Sequence, residues 1–461
     1  MTVFGPAGIG KSRLGYELAG RVTATGGMAL RGRSIPYGES SPYGAFAQHI
    51  KQVAGIFDND PVASALHKLR SAVAELGAEE SADEATTHLA MLGGLRTEES
   101  VSDRETLFFS ARVLVEGLAT RRPTMLVFED IHWADASLLD LIESLAARVG
   151  DVPLLILTLA RPELLEGRQS WGGGLRAYTS LQLEPLSEGD SVELTRRLLV
   201  QNPLAEPSDR VEAVALRSLA ATAEGNPLFI EELAASLAEG ATGDAGKVPT
   251  SIRGIVSARL DALPVAERAV LMDAAVVGKV FWRGALTRLQ PERTDLSAVL
   301  GSLEHRGLIR REAVSGIRGE HQFSFKHVLI RDVAYQTLPR PERRQRHAAV
   351  AQFLEEATPE LGEAAALAHH WREAGESKRA LPYVLAAADQ AGRGWAKARA
   401  VELYQEALGL IRDEDRDLRR DIIRRLAVAA SATWHVYDAE RLRGRGAARA
   451  RRDPPAGSPP G

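Results

Sequence analysis

Residues 5–14, Gly5-Pro6-Ala7-Gly8-Ile9-Gly10-Lys11-Ser12-Arg13-Leu14, contain the spacing G-x-x-x-x-G-K-[ST]. Glycines at this spacing let the backbone curl so that its N–H groups face phosphate oxygens. A helix that starts at the end of such a loop adds the positive end of its dipole. In that arrangement Lys11 reaches the β- and γ-phosphates and the Ser12 hydroxyl serves Mg²⁺. The expected cofactors are ATP or ADP with Mg²⁺. The candidate binding residues are Gly5, Pro6, Ala7, Gly8, Ile9, Gly10, Lys11, Ser12 and Arg13. The plain alternative is a glycine turn, and the flanking sequence argues against it. "TVF" before the loop reads as a strand, and "SRLGYELAGRV" after it has helical apolar spacing.

Working outward, "MALRGRS", "TMLVFED", "VPLLILTLARP" and the weaker "TSLQLEPL" read as buried strands, with mostly helical sequence over 43–120. Strands that alternate with helices predict a parallel sheet covered by helices on both faces, an α/β P-loop fold. A phosphate site of this kind needs an acid at the end of a nearby strand, to hold Mg²⁺ and order water. Glu129 and Asp130, after the apolar run "LVF", supply two candidates. Asp130, the shorter and stiffer ligand, is the expected metal residue with Ser12, and Glu129 the expected catalytic residue; their roles could also be exchanged. Two acids could instead mark a strand leaving for solvent. Asp135 reads as the N-cap of the helix "ADASLLDLIESLAARV", and His132 and Trp133 read as packing groups. Thr158 and Arg161, near the end of "LLILTLAR", are candidates to sense the γ-phosphate or water, or to meet a neighbouring domain. A capped strand end explains them equally well.

After Pro185 the strand signals stop, and 187–246 reads as a helical lid that ends in a linker at 240–246. Residues 247–340 read as short helices followed by a β-hairpin in "HRGLIRREAVSGIRGEHQFSFKH", a winged-helix-like domain. Residues 341–440 are Ala-rich and helical. Ala400, Tyr404 and Ala407 fall at the small–aromatic–small spacing of a tetratricopeptide-type repeat. The tail 441–461 is rich in Arg, Pro and Gly and should be disordered. Residues 1–186 form the expected nucleotide domain.

Together, "GPAGIGKSRL", "RGRSIPYGES", "LVFEDIHWAD", "LTLARPEL" and "EGNPLFIEEL" resemble the signal-transducing ATPases with numerous domains (STAND), within the AAA-like P-loop NTPases. The likeness runs on through "FSFKHVLIRDVAYQTLPRPERRQRHAAVAQFLEE" and covers about residues 1–410. It is most similar to the ATPase region that follows a class III adenylate/guanylate cyclase domain in large bacterial regulators. A similar module occurs in LuxR-type transcription regulators. The resemblance implies an ATP-binding regulatory switch with slow hydrolysis and helical repeats that bind a protein partner. It also implies that Pro227, in Gly225-Asn226-Pro227, packs near the adenine and links nucleotide state to the later domains. A helix C-cap followed by a helix-starting Pro is the local reading of the same residues. Relatives have a fuller strand before the loop than Thr2–Phe4, so the resemblance implies a piece of a longer protein or a start set late. No cyclase region fits within the 461 residues, so no cyclase activity is expected.

Composition narrows the alternatives. The chain is 45 % hydrophobic and 26 % charged, an ordinary globular balance, with net charge −4 and no cysteine. Disulfides and thiolate metal sites are excluded. No run of about eighteen apolar residues suggests a membrane span. No signal peptide is evident, so the expectation is a cytoplasmic protein without membrane contact. The acidic balance argues against DNA as a partner. An AAA ring motor would need a pore loop and a trans-acting Arg, neither of which is identifiable. A nucleotide-binding scaffold without turnover is a further alternative.

Overall fold

The computed structural model describes residues 1–35, 41–76, 82–95, 103–201, 220–238, 251–359, 364–411 and 415–431. The expected linker at 240–246 and tail at 441–461 lie outside them. The first sheet contains β1 (Thr2–Phe4), β2 (Met28–Arg33), β3 (Thr124–Glu129), β4 (Leu154–Ala160) and β5 (Ser180–Gln182). All are parallel, in the order β2-β3-β4-β1-β5. Although β1 has three residues, it is paired on both sides, with Thr2 opposite Thr158 and Ser180.

The pleat divides the core in two. Met125 and Val127 of β3 face one way and join Val3, Leu157, Leu159 and Ala19 under α1 (Lys11–Ala24). Leu126 and Phe128 face the other way, into the larger core built by α2 (Gly44–Ala54), α3 (Val62–Glu75), α4 (Ala82–Leu92), α5 (Arg104–Arg121) and α6 (Ala136–Arg148). Both faces of β3 are apolar, which is why its sequence shows a continuous run rather than alternation. Asp103 and Asp135 cap α5 and α6 by accepting the N–H of Thr106 and Ser137. After the short helix α7 (Leu164–Gly167) and β5 come α8 (Glu188–Gln201) and α9 (Pro227–Ala238).

The expected hairpin is present as β7 (Ile309–Arg311) and β8 (Gln322–Phe325), antiparallel. One strand was not legible. β6 (Val280–Trp282) pairs with the other edge of β8 and completes a three-stranded sheet, so strands resume after β5 outside the hairpin as well. Three residues between two helices are too few to show a period. Phe281 of β6 stacks on Phe323 at 5.8 Å, and five short helices between Ile252 and Thr337 enclose this second core. The helices Arg340–Ala357, Ala364–Glu373, Ser377–Arg393 and Lys397–Leu410 follow. Ala400, Tyr404 and Ala407 are buried there, in one cluster with Ala388 and Ala391.

These later parts close onto the first sheet. At the wing, the Asp58 N–H donates to Gly316 O at 2.7 Å. Asn59 and Arg318 exchange two hydrogen bonds, Nδ2 to Arg318 O at 3.0 Å and Arg318 N–H to Oδ1 at 2.9 Å. The Arg318 guanidinium lies 4.7 Å from the Phe57 ring centroid and 3.0 Å from Asp60. Further on, Trp395 packs against the larger core of the sheet domain.

Candidate functional site

The loop Gly5–Gly10 leaves β1 and enters α1 with Gly8 at φ 81° and Gly10 at φ 106°. A Cβ at Gly10 would meet no atom within 4 Å. The buried Lys11 ammonium donates to Gly5 O at 2.7 Å and Pro6 O at 2.8 Å. Burial lowers its pKa to about 8, against the opposing field of Asp130. Ser12 and Arg13 are exposed on the first turn of α1, and Arg13 pairs with Glu17 at 2.7 Å.

The two acids are treated differently. Glu129 is buried, and both its carboxylate oxygens are taken by the guanidinium groups of Arg31 and Arg33 on β2. Burial alone would raise its pKa, but Arg33 and Arg31 outweigh it and hold the group at about 2. The β2–β3 register sets Arg33 opposite Glu129, so the pairing follows from sheet geometry. As placed, Glu129 is a structural anion rather than a free base. Asp130 sits one residue beyond the strand in the left-handed region, φ 56°. Its carboxylate lies 3.5 Å from Arg33 and 4.0 Å from Lys279, which immediately precedes β6. Neither Lys279 nor Arg33 stands out in the sequence. No local pattern marks a residue brought in from another domain.

Thr158 stands level with Thr2, the first residue of β1, and its hydroxyl donates to Thr2 Oγ1 at 2.8 Å. The loop starts three residues further along β1, roughly 10 Å away at strand spacing. This places Thr158 inside the sheet rather than at its tip. Arg161 follows the end of β4, and its charge acts on Lys11 together with that of Glu163. The charges of Asp130, Arg161 and Glu163 all act on Lys11, and the same three act on His132.

Gly225-Asn226-Pro227 lies against the loop, and the contacts come from Asn226 and Leu228 on either side of the half-buried Pro227. Asn226 Nδ2 donates to Ala7 O at 3.1 Å, and the Leu228 N–H donates to Gly8 O at 3.2 Å. Asn226 Oδ1 also accepts the Leu228 N–H at 3.1 Å, which caps α9. The lid is thus joined to the loop by hydrogen bonds that need no nucleotide.

These residues fit a Mg²⁺-nucleotide. Phosphates would take the loop amides and Lys11, and Mg²⁺ would take Ser12 and Asp130 with phosphate oxygens completing its shell. Among the described residues no cluster of three or more His, Cys, Asp or Glu could hold a metal alone. No helix of the described residues is long and apolar enough to cross a membrane.

The whole chain is similar in fold to a Signal Transduction ATPase with Numerous Domains (STAND) protein with a tetratricopeptide repeat sensor from Pyrococcus horikoshii. The TM-score is 0.51 and the identity 16 %, over 95 % of this chain and 60 % of that one. It is also 25 % identical over 448 residues to an uncharacterized protein of Rhizobium meliloti (strain 1021), covering 92 % of this chain. The chain spans 42 % of that relative's length. Residues 1–157 match the AAA ATPase domain family, and with the phosphate loop and the parallel sheet this makes the N-terminal part of the chain an AAA-type ATPase module.

Proposed function

We propose that the chain is an ATP-binding regulatory switch that hydrolyses ATP slowly, in which nucleotide state sets the placement of lid, wing and helical repeats around the sheet domain. The observation that carries this reading is the direct bonding of other parts of the chain to the nucleotide elements. Asn226 and Leu228 hold Ala7 and Gly8 of the loop, and Lys279 faces Asp130. A phosphate or metal at either place acts on contacts that position the rest of the chain. In this reading Lys11 binds phosphate, Ser12 and Asp130 hold Mg²⁺, and Arg161 assists at the terminal phosphate. Mg²⁺ supplies charge neutralisation between phosphate oxygens. Glu129 keeps Arg31 and Arg33 in place and becomes available to water only if that pairing opens.

The motif resemblance supports the wider setting of a bacterial signal-transduction protein of cyclase-associated architecture, whose repeats engage a protein partner. Domain limits at 186, 246 and 340 are part of the same proposal.

The test uses the absence of native cysteines. Labels are placed at Phe109→Cys and Val265→Cys, both on exposed positions, and their separation is measured with no nucleotide, with Mg-ADP and with a non-hydrolysable Mg-ATP analogue. The distance distribution should differ between nucleotides, and Lys11→Ala should abolish the difference. Ligand at a hundred times its dissociation constant should add roughly 2.7 kcal/mol of stability, lost in Lys11→Ala. Equal thermal shifts in the two proteins would remove the phosphate site. Identical distances in all three states would remove the switch.

A further inference from the structure

The helical repeats do not close completely on the sheet domain. A cleft of about 500 Å³, counting its open mouth, lies between them. One wall is α2 and the end of α4, and the other is built by the helices Ala364–Glu373, Ser377–Arg393 and Lys397–Leu410. The closed part has room for about one water, and the rest is mouth. Six of the twelve lining residues are Ala or Gly, so few side chains fill the space. A gap of this kind could be no more than an imperfect fit between two domains. Its polar groups argue otherwise.

Two cations line the cleft, Lys51 from α2 and Arg399 from the helix Lys397–Leu410, and no Asp or Glu does. A packing defect has no reason to gather charge of one sign from two domains. Each cation has an acid outside the lining: Lys51 Nζ lies 2.8 Å from Asp58, and Arg399 Nη1 lies 2.7 Å from Glu402. The second pair is weak, because Glu402 is 62 % exposed and lies within one turn of the same helix. A guanidinium has five N–H donors, so Arg399 keeps donors for a ligand. Two neutral groups add to the cations. Among the described residues, neither the Gln390 amide nor the Ser41 hydroxyl has a hydrogen-bond partner. The helix Ala364–Glu373 meets the cleft with its first turn, at Ala364 and Ala365, and so with the positive end of its dipole.

We propose that this cleft binds a small organic oxyanion, a carboxylate or a phosphate, with one oxyanion group at the closed part and the body of the molecule in the mouth. Lys51 and Arg399 hold the charge, one from each domain, and Gln390 and Ser41 donate hydrogen bonds. A ligand held in this way ties the repeats to the sheet domain. It gives the chain a place to read a small anionic metabolite, at a domain interface where such sites are common. The cleft is built from other elements than Gly5–Ser12, and the proposal stands whether or not that loop binds phosphate.

Hydrogen exchange with mass spectrometry on the full chain reads both binding and its place. Lys11→Ala is the background, so that the phosphate loop does not contribute. The probes are succinate, inorganic phosphate and, as an uncharged counterpart, succinamide, with ionic strength held constant by chloride. Succinate or phosphate should slow exchange saturably in peptides covering 44–54 and 397–410, and succinamide should not. Which oxyanion acts more strongly distinguishes a carboxylate from a phosphate ligand. Lys51→Gln and Arg399→Gln should each raise the half-saturating concentration on the order of tenfold or more, the scale of a charge-assisted hydrogen bond. Arg399→Lys, which keeps the charge, should recover part of that loss. Arg420→Gln removes a cation that is 81 % exposed elsewhere on the repeats and should change nothing. If one of the two cleft variants does not fold, the other carries the comparison. The proposal is overturned if neither oxyanion protects these peptides saturably, or if protection survives the cleft substitutions unchanged. It is also overturned if Arg420→Gln weakens protection as much as Arg399→Gln, which would mean attraction by net charge alone.

Discussion

Gly8→Ala should loosen α9 from the phosphate loop, while Gly10→Ala should leave it attached. Both glycines have positive φ, 81° and 106°, so each substitution costs about 1–2 kcal/mol of backbone strain. They differ in surroundings. A Cβ at Gly8 would lie 2.8 Å from Asn226 Oδ1 and 2.8 Å from Leu228 Cβ, whereas at Gly10 it would meet nothing within 4 Å. Overpacking of the first kind costs about 1–3 kcal/mol. The bonds that hold 226–228 in place are Asn226 Nδ2 to Ala7 O and Leu228 N–H to Gly8 O, each contributing about 1 kcal/mol net. Clash and bond energies are therefore comparable, and the cheapest relief is for 226–228 to lift away from the loop. Local opening should become easier by roughly 1–3 kcal/mol, which amounts to on the order of 10–100-fold faster amide exchange at Leu228 and Phe229. Hydrogen exchange with mass spectrometry, without nucleotide, reads this directly in a peptide covering 227–238. Equal protection of that peptide in the Gly8 and Gly10 variants would refute the reasoning.

Lys279→Met keeps buried volume and removes the ammonium 4.0 Å from Asp130, so the Mg²⁺ needed for half-saturated nucleotide binding should fall several-fold. An unchanged Mg²⁺ titration would mean that the metal does not use Asp130. At the junction of helices Arg340–Ala357 and Ala364–Glu373, burial lowers His347 to about 3, with His369, Arg331 and Arg343 adding to the effect, and His370 also lies well below its ordinary value. The folded pKa is below the unfolded one, near 6.5, so this stability is complete above pH 6.5 and is lost as pH falls towards 3. Fluorescence of the buried Trp371 should report loosening in that window, and a flat response from pH 7 to pH 4 would contradict it.

Much of the nucleotide domain could be read from sequence because its signals are local. A glycine loop, the apolar run "LVF" before Glu129 and the Asp135 cap each lie within a few residues. What could not be read was set by register and by distant chain. Arg31 and Arg33 lie in a strand legible as such, yet their pairing with Glu129 depends on β2 lying beside β3 and on which residues then fall opposite. Thr158 belongs to a correctly read strand, and only the register against Thr2 shows that it stops short of the tip. Pro227 has the rigid ring, whereas the contacts with the loop are made by the amide groups of its neighbours. His132 reads as apolar packing beside Trp133. Its unpaired nitrogens become visible only once its surroundings are folded.

The wing loop bears on how strongly a signal must act. Asp58, Asn59, Gly316 and Arg318 share three hydrogen bonds across two short turns. At about 1 kcal/mol net each, they bias the docked arrangement by about 3 kcal/mol, a population ratio of roughly 100 to 1. A stimulus that prefers the undocked wing only tenfold would leave most molecules docked. One that prefers it ten-thousandfold would invert the ratio. Affinity alone accomplishes nothing here, since a tight ligand indifferent to the wing shifts no molecules at all. The latch therefore acts as a threshold, and weakening it with Asn59→Ala should lower the discrimination a ligand needs by about five- to thirtyfold.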